Sequence, residues 1–170
     1  IIRRNNMRYN KIRKMDISNG PGVRVSIFMQ GCDFHCKGCF NPETWDFDGG
    51  KEFTQETINT VLKLADNENI VGLSILGGEP LNISNYTGTT ELAKQFKEKF
   101  PDKSVWVWTG FKYETIKANE FMNNIDVLVD GRFEEENKNP KLKYCGSSNQ
   151  RVIDVQKTKQ NKEVTLWKEK

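Results

Sequence analysis

No apolar run in this 170-residue sequence approaches the ~18 residues needed to cross a bilayer, which excludes membrane-spanning helices. Cysteine and histidine are both scarce, at four and one. No charged-then-apolar leader with a small-residue cleavage site opens the chain, so the cysteines are expected as free thiols in a reducing, cytoplasmic interior. A disulfide framework is not expected. There is no internal repeat and no low-complexity segment apart from a Lys- and Gln-rich tail. Neither sign of charge dominates, with a net of +3. Residues 1–14 do hold six Arg or Lys and no acid, and from Arg151 onward six basic residues face three acidic ones. These read as solvated ends rather than nucleic-acid patches.

What is present is the composition of a water-soluble globular domain, 36% apolar and 29% charged. The length suits one domain over residues 1–170, with no function given to residues 1–6 before Met7 and a polar tail from about 157. Residues 23–29 form a β-rich run. Thr54 reads as the N-cap of a helix carrying Ile58, Val61, Leu62 and Ala65 at helical spacing, with Thr57 three residues on. Apolar runs at 70–76 and 125–129 and the alternating segment 104–109 read as strands. Residues 89–100 and 114–121 read as helices. Such an alternation favours parallel pairing in an α/β sheet of at most six strands with helices outside. Chemistry in such sheets gathers at the carboxyl ends of the strands, where Cys32 to Cys39, Gly77 to Pro80, Thr109-Gly110 and Asp130-Gly131 fall. Trp106 and Trp108 read as core packing.

Three of the four cysteines, Cys32, Cys36 and Cys39, fall within eight residues of a loop made flexible by Gly31 and Gly38. Structural zinc is usually closed by four protein ligands, whereas three thiolates leave a metal centre open. A 4Fe-4S cluster on three cysteines keeps one iron free for a small molecule. Cys145 and His35 leave zinc as an alternative, and their plainer readings are an unligated thiol and a loop side chain.

The C-x3-C-x2-C loop after one strand and G-G-E-P after the next resemble the radical S-adenosylmethionine enzymes. N-G-P-G-V-R (19–24), G-C-D-F-H-C-K-G-C-F-N (31–41), W-T-G (108–110), D-V-L-V-D-G-R-F (126–133) and G-S-S-N-Q-R (146–151) further resemble the glycyl-radical activating enzymes that serve anaerobic ribonucleoside-triphosphate reductases. The resemblance spans residues 15 to about 155. It implies a partial (β/α) barrel of mostly parallel strands with outer helices. It also implies a 4Fe-4S cluster on Cys32, Cys36 and Cys39, with S-adenosyl-L-methionine bound by Gly38, Cys39, Phe40, Gly77, Gly78, Glu79, Thr109 and Asp130. The implied reaction is reductive cleavage of S-adenosylmethionine to give a glycyl radical on the large subunit of the reductase. The radical chemistry is borne by the cofactor, so no side chain is assigned as catalytic. The implied partners are that subunit and a reduced flavodoxin or similar electron donor, with no nucleic acid and no membrane. The wider family usually carries an aromatic residue before its third cysteine. Here Gly38 stands there and Phe40 follows. An activator of another glycyl-radical enzyme, such as pyruvate formate-lyase, and a non-catalytic iron-sulfur or zinc protein are the competing readings.

Overall fold

The computed structural model describes residues 6–169. Of the six residues preceding Met7, 1–5 lie outside the described residues. Seven strands form one sheet: β1 (Arg8–Asp16), β2 (Arg24–Met29), β3 (Lys51–Glu52), β4 (Gly72–Gly77), β5 (Ser104–Thr109), β6 (Val127–Asp130) and β7 (Arg151–Asp154). Among the described residues four α-helices accompany it: α1 (Gln55–Ala65), α2 (Tyr86–Lys99), α3 (Tyr113–Ile116) and α4 (Val155–Asn161). The strand order is β3-β1-β2-β4-β5-β6-β7. Among the described residues no helix is long and apolar enough to cross a membrane.

The expected partial (β/α) barrel of mostly parallel strands is not what the chain builds. Only β2, β4, β5 and β6 run parallel, while β1 and β3 on one side and β7 on the other pair antiparallel. Antiparallel strands end the sheet at both edges, so there is no succession of β/α units to carry it toward closure. The outer layer is also thin, because α3 is four residues long and lies between β5 and β6, where a barrel needs a full helix. The result is an open mixed sheet, with seven strands against the six expected. β1 escaped the periodicity argument because its sequence R-Y-N-K-I-R-K-M-D carries only scattered apolar residues among basic ones.

The strands and helices α1 and α2 otherwise follow their sequence patterns. The Thr54 N–H donates to Thr57 Oγ1 at 3.1 Å and fixes the start of α1. Ile58 and Val61 of α1 and Leu92 and Phe96 of α2 pack on Val25, Ile27, Leu73, Ile75, Val105 and Val107. Register places Ser26, Phe28, Ser74, Leu76, Trp106 and Trp108 on the opposite face, which those helices leave uncovered. There Trp106 is buried against Tyr144 and Trp167, so part of the basic tail folds back onto the sheet. Lys11 and Arg13 lie 4.8 and 4.9 Å over the Phe28 ring.

Arg24 neither pairs with an acid nor reaches the strand ends that carry the cysteines. It is 0% exposed, and its guanidinium donates to Ser74 Oγ (2.7 Å), Ser104 Oγ (3.0 Å) and the carbonyls of Leu73 and Ser104 (both 2.9 Å). Ser74 Oγ in turn donates to the Asn19 carbonyl at 2.6 Å, which ties the N-G-P-G turn to β4. Burial lowers the Arg24 pKa to about 10, so the cation persists at neutral pH. Arg24→Lys keeps the charge and loses the planar fork. It is expected to cost at least about 3 kcal/mol, read as a fall in urea midpoint at unchanged m-value, because several buried acceptors lose their donor together. A loss under about 1 kcal/mol would refute this account of the sheet's centre.

Candidate cofactor site

The uncovered sheet face continues into a cavity of about 530 Å³, in the range of small-molecule sites. Cys32, Cys36, Cys39 and Phe40 line it from the loop after β2; Gly77, Gly78 and Glu79 from the end of β4; Thr109 and Gly110 from the end of β5. The structure thus gathers most of the residues singled out in the sequence. Two are not brought to the wall. Gly38, at φ +72°, packs against Glu135, where a Cβ would meet Oε1 at 2.8 Å. Asp130 is fully buried, accepting from the Tyr113 N–H (2.8 Å) and from Arg151, which also grips Glu114. Its neighbour Gly131 lines the cavity instead.

The cysteine loop is held by its backbone. The Gly31 N–H donates to the Thr44 carbonyl at 2.7 Å, and the Cys32 N–H to the Trp45 carbonyl at 3.1 Å. The Gly31 carbonyl accepts from the Glu79 N–H at 2.9 Å. A Cβ on Gly77 would meet the Met29 nitrogen at 2.7 Å, and one on Gly78 the Gly31 oxygen at 2.6 Å. The two glycines therefore let the ends of β2 and β4 touch. All four thiols are free, and burial pushes those of Cys32 and Cys36 up. Cys145 lines the same cavity, its thiol raised by burial to about 11. Among the described residues no three His, Cys, Asp or Glu side chains converge as the ligands of one metal ion would. Cysteine thiols spread around one roomy cavity are the donor chemistry of an iron-sulfur cluster, and they fit such a group.

A 4Fe-4S single cluster domain model matches residues 18–153. Three relatives are each termed anaerobic ribonucleoside-triphosphate reductase-activating protein. The one from Enterobacteria phage T4 is 39% identical over 146 residues, covering 86% of this chain and 93% of the relative. The Vibrio cholerae protein is 36% identical, covering 85% and 96%, and the Escherichia coli K12 protein 37% identical, covering 86% and 97%. The chain belongs to this family of activating proteins. Its 4Fe-4S domain therefore includes the whole cysteine loop and the end of β4.

Several cavity residues of this activating-family chain were not singled out as site residues in the sequence. Arg132 stacks 4.2 Å over the Phe34 ring, and Phe34 packs edge-on to Phe111 at 5.0 Å. Both residues lie inside the quoted blocks, but nothing in the residue pattern says that they meet. Gln150 of G-S-S-N-Q-R accepts from the Gly146 N–H (2.9 Å) and donates to the Gly131 carbonyl (2.9 Å), so that block fixes the loop after β6. Trp45 gave no sequence signal beyond its nearness to the cysteines.

Glu79 is the buried carboxyl of the site. Oε1 accepts from the Leu81 N–H (2.9 Å) and the Thr109 hydroxyl (2.7 Å), and Oε2 from the Gly110 N–H (2.7 Å). Burial nevertheless outweighs these donors and raises its pKa from 4.5 to about 7. The folded carboxyl then keeps its proton to about pH 7, while the unfolded one releases it near 4.5. Stability of the ligand-free protein should fall by about 3 kcal/mol as pH rises through that window, and Glu79→Gln should remove that fall. Urea midpoints of both proteins across the window check it, and parallel pH profiles would refute it.

Proposed function

We propose that this protein activates an anaerobic ribonucleoside-triphosphate reductase by reductive cleavage of S-adenosylmethionine. The cleavage takes place at a 4Fe-4S cluster held by Cys32, Cys36 and Cys39. The observation that carries this reading is the meeting, in one cavity, of three free thiols with the glycine corner and the buried Glu79. When bound, the cluster supplies the electron that breaks the sulfonium C–S bond, giving methionine and a 5'-deoxyadenosyl radical that takes one hydrogen atom from a glycine of the reductase large subunit. The relatives' names support the choice of reductase over other glycyl-radical enzymes.

The chain's own residues bind, orient and exclude water. Cys32, Cys36 and Cys39 would hold the cluster and would leave one of its irons for the amino and carboxylate groups of the cosubstrate. Once ionised beside the cosubstrate ammonium, Glu79 has about four lone-pair directions and uses three on Leu81, Thr109 and Gly110, so one is left for that ammonium. Thr109 and Gly110 hold that carboxylate in place. Phe40, 60% exposed beside Phe133 at 5.0 Å, supplies the aromatic contact on the adenine side that Gly38 cannot. A reduced flavodoxin or similar carrier supplies the electron.

Anaerobic reconstitution with iron and sulfide, then incubation with the large subunit, S-adenosylmethionine and a strong reductant, is expected to give 5'-deoxyadenosine and the electron paramagnetic resonance doublet of a glycyl radical. Cys32→Ala, Cys36→Ala and Cys39→Ala should each lower both products by more than about a hundredfold, since even outer-shell changes at metal sites cost 10–100-fold. Cys145→Ala should keep both. Equal loss in Cys145→Ala would overturn the ligand assignment, and 5'-deoxyadenosine without a glycyl radical would overturn the partner.

A further inference from the structure

The two edges of the sheet are finished differently. At β7 the polar tail closes the edge: the Asp154 N–H donates to the Thr165 carbonyl and the Trp167 N–H to the Val152 carbonyl, both at 2.9 Å, around a bridge between Ile153 and Leu166. At the opposite edge β3 is two residues long and pairs with Arg8 and Tyr9 alone. From Asn10 to Asp16, β1 therefore has β2 on one flank and no strand of the described chain on the other. Backbone groups along such a flank are left to solvent or to an added strand.

The side chains of that stretch decide what can be added. Lys11, Arg13 and Lys14 are its charged residues before Asp16. Asp16 is buried and accepts from the Ser18 N–H (2.8 Å) and Asn19 Nδ2 (2.6 Å), while Glu43 stands 3.5 Å from Lys11. A second copy laid antiparallel along the same flank would set these cations against one another, which opposes self-association. An acidic strand meets no such penalty. Met15 and Ile17, 71% and 77% exposed, add apolar surface at the carboxyl end of the stretch. The ladder between β1 and β2 is regular from Lys11 to Arg13 and irregular on both sides, so an added strand has to be short. Arg13 also lines the cofactor cavity, so this flank borders the site.

We propose that the large subunit of the reductase docks by laying a short, acidic, extended segment against the free flank of β1, as an added strand of the sheet. This rests on the reductase reading above. Main-chain hydrogen bonds hold such a strand in register, and its carboxylates select it for the basic flank. Because the flank adjoins the cavity through Arg13, docking there brings the subunit to the edge of the site.

The test measures backbone amide hydrogen exchange, residue by residue, in the anaerobically reconstituted chain with and without the large subunit. Complex formation is expected to slow the amides between Asn10 and Asp16 that face away from β2 by at least about tenfold, and to leave those of β7 unchanged. Reversing both exposed cations, Arg13→Glu with Lys14→Glu, should raise the Kd for the large subunit about tenfold at low salt, and added salt should shrink the difference. An unchanged Kd overturns the acidic character of the segment. A complex whose β1 amides exchange as they do in the free chain overturns this docking and leaves the activation reading standing. Slowing of the same amides with rising concentration of the chain alone makes the occupant a second copy and overturns the proposal too. Absence of any complex between the unmodified proteins overturns the reductase reading and this inference with it.

Discussion

The contact on which the site depends is backbone against backbone, where the end of β2 meets the end of β4. Met29 and Gly31 present carbonyls to the N–H groups of Gly78 and Glu79 at 2.8 and 2.9 Å. Side chains have no room there, since a Cβ at either Gly77 or Gly78 would overlap main-chain atoms. This contact continues the parallel pairing of Met29 with Gly77 beyond the ends of both strands. It places the cysteine loop and the acidic corner on one wall. Asn85 Nδ2 joins the two by donating to the carbonyls of both Gln30 and Glu79, at 3.0 and 2.9 Å.

From that contact the two faces of the sheet acquire different tasks. One is covered by α1 and α2 and gives the fold most of its buried apolar area. The other carries polar and aromatic side chains and is left to the cavity. A sheet face with no helices over it needs its polar groups paired, and Arg24 accomplishes this by drawing carbonyls and hydroxyls from β4 and β5 onto one guanidinium. The same network holds the N-G-P-G turn, whose Asn19 lines the far end of the cavity. Stability of the sheet and the shape of the site are thus set by shared residues.

That the cysteine triplet and the glycine corner meet was legible in the sequence because both follow buried strands at the same edge of the sheet. The four parallel strands were legible because they are buried runs of apolar residues. β1 was hidden by its position toward the sheet edge, where one flank is mostly solvated and Lys and Arg are tolerated. Its antiparallel direction, and that of β7, could not be read from periodicity, which is the same for both pairings. Those two strands decide between an open sheet and a closing one, so the barrel expectation failed there. Asp130 shows a related limit. A strand-end aspartate before a glycine looks like a ligand contact, yet Arg151, distant in sequence and adjacent across β7, claims it.

Gly38 follows from the same logic of close approach. The positive φ disfavours a side chain at that position, and one there would have to displace the Glu135 carboxylate. Lys37 pairs with the same carboxylate at 3.1 Å, so the second half of the cysteine loop is clasped by the turn after β6. Phe40 then lies against Phe133 and within 5.4 Å of the Lys138 ammonium. The loop is held by the carbonyls of Thr44 and Trp45, by the Glu79 N–H, by Glu135 through Lys37 and by Phe133 through Phe40. The backbone that carries the three thiols is thus fixed at several points by the surrounding chain.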